Sequence, residues 1–374
     1  MFGAGGEFRE RVKLLRTMRR WDQGTLGERA GMSAAAVSQI ENGRATPTAE
    51  QVAGLSAALG YSTAFMTAES SVIGTTRPWL RAYADASKRE ADARTAAAAI
   101  AAEYIRRLAL KPLPDLLPHH AGDAEDDEVI EELAQEMRYL AKIDQDAVVT
   151  NAVRAAERLG CVVLPLESEL GRHLGMSVRA DDIPILCVAK DDVPGDRQRW
   201  TVAHELGHLA LHGTTGPPRD AEEATRMEKQ AHRFAAAFLG PADALIDTLN
   251  EYGGKVTLGA LQHVKSVWGI SIKALVGRYR SLGVIDAEHA RSLYKQISAR
   301  KWSKDEPVDV PNESAQWLAG WLVRKAAIDD LPAACRHLAA AVGGNGDDLL
   351  RFADWSRRPQ AEIVNLADRR RRSV

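Results

Sequence analysis

Residues Trp200 to Gly213 read WTVAHELGHLALHG, and no other stretch of this 374-residue chain restricts its fold so tightly. The flanks WTVA and LALHG are apolar at helical spacing, so the segment forms a helix with one face in a core. His204 and His208 are four residues apart and therefore share one face, about one turn from each other. Two imidazoles so placed reach a single ion at the roughly 2.0–2.1 Å that zinc prefers. Glu205 sits beside that face, where it contacts an activated water without being a ligand, and its role would be general base and then proton donor to a leaving amine.

A catalytic zinc takes a third protein ligand and keeps one position open. The candidate is Glu228, 20 residues beyond His208 in EEATRMEKQAHRFAAAFLGP, on a second predicted helix from about Ala221 to Leu239. Met227, Ala231, Phe234, Ala235 and Phe238 form the packing stripe of that helix, and Glu228 borders it. A carboxylate there is costly without a partner, and a cation supplies one. Mn²⁺ or Fe²⁺ suits a two-His, one-carboxylate set as well as Zn²⁺ does. His212 and His232 carry two readings each. His212 either extends the metal environment or meets free carbonyls at the helix end; His232 either contacts the site or is an exposed helical histidine. His119 and His120 are expected to be solvated.

The surrounding chain reads as α+β and mostly helical. CVVLPL (161–166) and IPILCVA (183–189) are β-branched runs bounded by turn residues and predict strands. Residues 129–159 predict two helices. The expected layout is a five-helix bundle over 7–68, an Ala-rich connecting helix and acidic linker over 78–128, a zincin-like domain with a small sheet over 129–245, and a helical extension over 246–374. The stretch HHAGDAEDDE (119–128) has the composition of a mobile linker.

Within 7–68, DQGTLGERAGMSAAAVSQIENG has the layout of a helix-turn-helix. Leu26 and Ala30 share one face of a first helix, Gly31 suits a left-handed turn, and Ser33 is a good N-cap for the second helix, whose Val37 and Ile40 face the core. Gln23, Ser33, Ala34, Ala35, Ser38, Gln39 and Arg44 are then the candidate contacts to double-stranded DNA. Arg9, Arg11, Lys13, Arg16, Arg19 and Arg20 are expected at phosphates. Alanines touch a thymine methyl but make no bidentate hydrogen bonds to a base, so sharp sequence reading is not expected. A small bundle used for dimerisation or protein recognition is the alternative.

Bulk properties agree with a soluble protein that contacts nucleic acid only locally. The net charge of −2 gives no global attraction to DNA or to anionic membranes. No apolar run of about 18 residues and no signal-peptide pattern are present, and Cys161, Cys187 and Cys335 form no C-x-x-C pair, so a reduced cytoplasmic setting is expected.

SQIENGRATPT and Gln23 resemble the Cro/repressor-like (XRE-type) helix-turn-helix family over about residues 8–66. CVVLPL, the block IPILCVAKDDVPGDRQRWTVAHELGHLALHG and MEKQAHRFAAAFLGP resemble the ImmA/IrrE metallopeptidases over about 129–245. That resemblance implies His204, His208 and Glu228 as zinc ligands and Glu205 as catalytic base. It also implies a protein substrate, a helix-turn-helix repressor or antitoxin, whose cleavage relieves transcriptional repression. His232 departs from the Asn common in the family. WGIS and KWSKDEP resemble a helical extension in family members that carry a helix-turn-helix, with cleft cover, homodimer formation or partner capture as candidate roles. A transcription regulator that uses the zinc-peptidase fold as sensor or scaffold, without turnover, is the rival reading; retention of Glu205 argues against it.

Overall fold

The computed structural model describes residues 4–69, 88–120, 126–166, 174–190, 193–213, 218–302 and 305–356. Helices dominate, with a single three-stranded sheet among the described residues. The N-terminal bundle comprises α1 (Ala4–Met18), α2 (Gln23–Ala30), α3 (Ala34–Glu41), α4 (Ala49–Leu59) and α5 (Thr63–Thr67). Its helix starts follow from short polar side chains: Asp22, Ser33, Thr48 and Ser62 each accept a backbone N–H of the first turn. Asp22 therefore begins α2 at Gln23. Gly31 closes α2 at φ 69°, and Leu26, Val37, Ile40 and Leu55 meet in the bundle centre.

The Ala-rich helix α6 (Lys88–Arg107), expected as a connecting helix, is also a core element. Ala98, Ala101, Ala102 and Tyr104 are buried against the N-terminal bundle, because methyl side chains let α1 pack closely along it. The segment leading into the acidic linker at His119 and His120 is in part a strap. Leu116 donates its N–H to the Leu159 carbonyl, Leu117 is buried, and His120 donates its N–H to the Ala210 carbonyl. Residues 78–87 and 121–125, also within the expected connector, lie outside the described residues.

Beyond it come α7 (Asp127–Leu140), α8 (Ala152–Arg158), β1 (Val162–Leu166), β2 (Gly175–Ala180) and β3 (Ile183–Ala189). The sheet order is β1-β3-β2, with β1 parallel and β2 antiparallel to β3. Period-2 alternation divides the sheet between two cores. Val163, Leu186 and Val188 face one; Val162, Met176, Val178 and Cys187 face the other, which they share with α6 and the N-terminal bundle.

On the first face lie α9 (Gly195–His212) and α10 (Ala221–Leu239). They pack closely where Gly207 meets Phe234: a Cβ at Gly207 would stand 3.0 Å from the phenyl ring. The packing stripe expected on α10 is buried throughout. Helices α11 (Ala242–Glu251), α12 (Leu258–Trp268), α13 (Ile272–Ser281) and α14 (Ala287–Ala299) extend this core through Leu261, Trp268, Tyr279 and Leu293.

Helices α15 (Trp317–Ala326), α16 (Leu331–Ala341) and α17 (Gly346–Ala353) leave it and join the other. Leu318, Leu322, Leu338, Leu349 and Phe352 pack with the N-terminal bundle and α6. Asp348 accepts from Arg19 and from the Tyr61 hydroxyl, both at 2.8 Å. The stretch expected to be one extension, 246–374, thus serves two cores.

Candidate metal centre

Helix α9 carries His204, His208 and His212 at successive four-residue steps, and α10 brings Glu228 across from them. The His204 and His208 Nε2 atoms are 3.1 Å apart. Glu228 places Oε2 3.6 Å from the first and Oε1 3.5 Å from the second. Donors around a tetrahedral zinc with bonds of 2.0–2.1 Å stand ~3.4 Å from one another. The residues therefore fit a divalent cation. Among the described residues they are the group of three such donors that converges, with ligand atoms within 4.8 Å of one another.

Burial lowers the His204 pKa well below the ordinary histidine value, and His208, His232 and His212 push in the same direction. A ring kept neutral offers its lone pair to a cation. Its Nδ1 is buried and makes no hydrogen bond among the described residues. The ring lies instead against that of His232, with centroids 4.5 Å apart, and Trp200 Nε1 donates to His232 Nδ1 at 3.4 Å. His232 is accordingly both exposed and in contact with the site. His212 points inward and not at the helix-end carbonyls: it is 4 % exposed, with Nδ1 3.1 Å from His208 Nδ1 and Nε2 3.0 Å from Gln230 Oε1.

Glu205 leaves the three ligand donors and turns toward the sheet. Ser177 of β2 donates its hydroxyl to Glu205 Oε2 at 2.6 Å. Gly175, on the same face of β2, makes the room: a Cβ there would lie 3.1 Å from Glu205 Cγ and 2.3 Å from Thr201 Cγ2. Burial raises the Glu205 pKa; His208, the Ser177 hydrogen bond and the Arg94 charge from α6 oppose it, while Glu228 adds to it. Neither β2 nor Ser177 was legible in the sequence. GMSVRA begins with glycine and ends beside a two-residue turn, and only its alternation of Met176, Val178 and Ala180 hints at a strand.

Cys161 and Cys187 are buried, and burial pushes both thiols up to about 12, so they are inert. His119 is exposed, with Nε2 2.7 Å from Arg179 Nη2.

On the N-terminal bundle, Ser33, Ala34, Ala35, Gln39 and Arg44 form an exposed face and Ser38 is half-buried beside them. Gln23 is turned partly inward, donating to Glu41 Oε2 at 2.9 Å, and Arg16 holds the same buried carboxylate through two bonds of 2.6 and 2.9 Å. Most of the arginines expected at phosphates are structural ties. Arg11 pairs with Glu103 at 3.0 Å, Arg16 with Glu41, Arg19 with Asp348, and Arg20 with Glu90 at 2.5 Å. Lys13 and Arg44 remain exposed.

A family model described as the IrrE N-terminal-like domain matches residues 156–280, from within α8 to the last turn of α13. A helix-turn-helix model matches residues 12–66. The first match continues past residue 245, where the peptidase-like unit was expected to end, in keeping with the core that α11–α13 share with α9 and α10. Comparison with curated proteins returns no match. No helix among the described residues is long and apolar enough to cross a membrane. The chain therefore joins a segment similar to helix-turn-helix domains to a segment similar to the IrrE N-terminal-like domain.

Proposed function

We propose that this chain, a helix-turn-helix domain joined to an IrrE N-terminal-like domain, is a metal-dependent endopeptidase that cleaves a DNA-bound repressor or antitoxin. The observation that carries the reading is the division of labour on α9. His204 and His208 converge with Glu228, whereas Glu205 is held apart on Ser177. A site that only binds a structural cation has no use for that separate buried carboxylate. When bound, a divalent cation, in our reading Zn²⁺ with Mn²⁺ or Fe²⁺ as substitutes, supplies Lewis acidity toward a carbonyl and makes water more acidic.

The chain's own residues do the rest. Glu205 accepts a proton from water as the water oxygen attacks the scissile carbonyl carbon. It returns that proton to the amine nitrogen as the C–N bond breaks. Its raised proton affinity suits a group that takes up and gives back a proton. Ser177 fixes the carboxylate, leaving one oxygen for this work. Strand β2 lies at an edge of the described sheet, and an extended peptide paired with it would run beside Glu205. The exposed face of α3 supports DNA binding, which would concentrate the enzyme near a repressor on its operator.

The test uses purified wild type and Glu205→Gln, each with metal content determined, incubated with Zn²⁺ or Mn²⁺ and the repressor-like proteins encoded nearby. Cleavage followed by intact mass is expected for wild type alone, with metal bound in both. Metal bound without cleavage of any candidate would instead mark a regulator that uses the fold as a sensor. If residues 1–70 bind neither DNA nor repressor, the recruitment half of the proposal fails.

A further inference from the structure

His212 and Gln230 take no part in the donor set, yet both are buried beside it, 4 % and 8 % exposed. We propose that His212 is a positioning residue for the ligand His208, and that the Gln230 carbonyl oxygen fixes which nitrogen of each ring carries its proton. The inference rests on the metal reading above.

The argument needs one premise, that His208 offers its Nε2 atom to the cation. That atom is 3.1 Å from His204 Nε2 and 3.5 Å from Glu228 Oε1, so it faces the other donors. A coordinating nitrogen is unprotonated, which leaves the ring proton on Nδ1. The His208 Nδ1–H faces His212 Nδ1 at 3.1 Å, so His212 Nδ1 is the bare acceptor. The His212 proton is then on Nε2, 3.0 Å from Gln230 Oε1, an oxygen that accepts it. Every hydrogen position along the chain follows. Run in the opposite sense, the chain ends with a proton on His208 Nε2, where it blocks the cation. Gln230 sets the sense that leaves this atom open.

The two ligating histidines are consequently held in different ways. His208 is 1 % exposed and locked by the three-membered chain. His204 is held by ring packing on His232. Outer-sphere partners of ligating histidines orient the ring and raise its basicity, and their loss costs about 10–100-fold in metal affinity. Truncating His212 would also leave the buried His208 Nδ1–H without an acceptor.

Full-length wild type, His212→Phe, His212→Asn and Gln230→Leu are compared by Zn²⁺ affinity in chelator competition and by the visible spectrum of the Co²⁺ forms. Asn places its Oδ1 where His212 has Nδ1, and so restores the acceptor without the ring. His212→Phe is expected to bind about 10–100-fold more weakly with an altered Co²⁺ spectrum. His212→Asn should recover most of the affinity and the spectrum, and Gln230→Leu should lie between. A His212→Phe protein with wild-type affinity overturns the proposal. So does an Asn variant as weak as Phe, which would make the role one of packing. If His212→Phe does not fold, the Asn and Leu variants decide: Asn binding like Leu overturns the proposal. Failure of wild type itself to bind Zn²⁺ or Co²⁺ would instead sink the metal reading on which it rests.

Discussion

Two helix pairs carry the two activities proposed for this chain, and they expose their purposes unequally. In α9 and α10 the polar groups point inward: His208 and His212 are buried, Glu205 is 8 % exposed, and Glu228 reaches across to the histidines. In α2 and α3 the working face points outward and consists largely of Ala34, Ala35 and short polar side chains. Burying an imidazole or a carboxylate costs several kcal/mol unless a partner repays it, so an inward polar group demands an explanation. An outward alanine demands none. The half proposed to be catalytic is legible from the cost of its own residues, whereas the half proposed to bind DNA is legible only from its turn geometry and caps.

The sharpest way to break that contrast is Glu205→Gln. Turnover of a cleaved protein should fall by about 10²–10⁴-fold while bound metal is unchanged, measured by initial rates on metal-quantified samples. A Gln variant that still turns over would place the chemistry elsewhere. Next in size is Glu228→Gln, or removal of metal by a chelator. The ligand set loses its anionic member, and the metal-dependent rise in melting temperature should largely vanish. For wild type that rise corresponds to about 2.7 kcal/mol at a hundred times the dissociation constant. In the N-terminal bundle, Arg16→Ala on α1 leaves the Glu41 carboxylate of α3 buried with Gln23 beside it among the described residues. The N-terminal bundle should lose roughly 3 kcal/mol, and DNA binding in a gel shift should fail, with metal content untouched. Loss of metal together with DNA binding would show that the two halves do not separate as described.

Two smaller effects sharpen the comparison. Ser177→Ala removes one hydrogen bond to a carboxylate at the catalytic residue, worth about 1.5–3 kcal/mol, and should slow turnover about tenfold or more without altering metal affinity. Arg44→Ala should weaken DNA binding almost equally across sequences. It should flatten the dependence of log affinity on log salt by about one unit if Arg44 meets a phosphate.

How far the sequence carried the reading can be seen from individual residues. Helix α10 occupies Ala221–Leu239 with its predicted stripe buried, and Ser33 caps α3. β1 and β3 announced themselves by β-branched runs. β2 did not, because a six-residue strand with Gly and Arg in it carries too little pattern, and Ser177 was lost with it. Arg11, Arg16, Arg19 and Arg20 read as a basic face because charge looks alike whether it meets solvent or a buried carboxylate. Their partners Glu103, Glu41, Asp348 and Glu90 lie 25 to 329 residues away. Such distant pairings leave no periodic trace. The same is true of α15–α17, whose apolar stripes are plain but whose destination on the N-terminal bundle is not.

That destination has a consequence for how the protein is made. A ribosome releases α1–α5 before α15–α17, yet Arg19 waits for Asp348 and the apolar surface of α6 waits for Leu349 and Phe352. A unit synthesised before the metal-site core is finished only after that core has emerged. Polypeptides cut short after α14 would display an uncovered greasy flank, and such nascent chains are natural clients for chaperones and proteases. Only a chain translated through α17 carries a completed, tethered helix-turn-helix bundle.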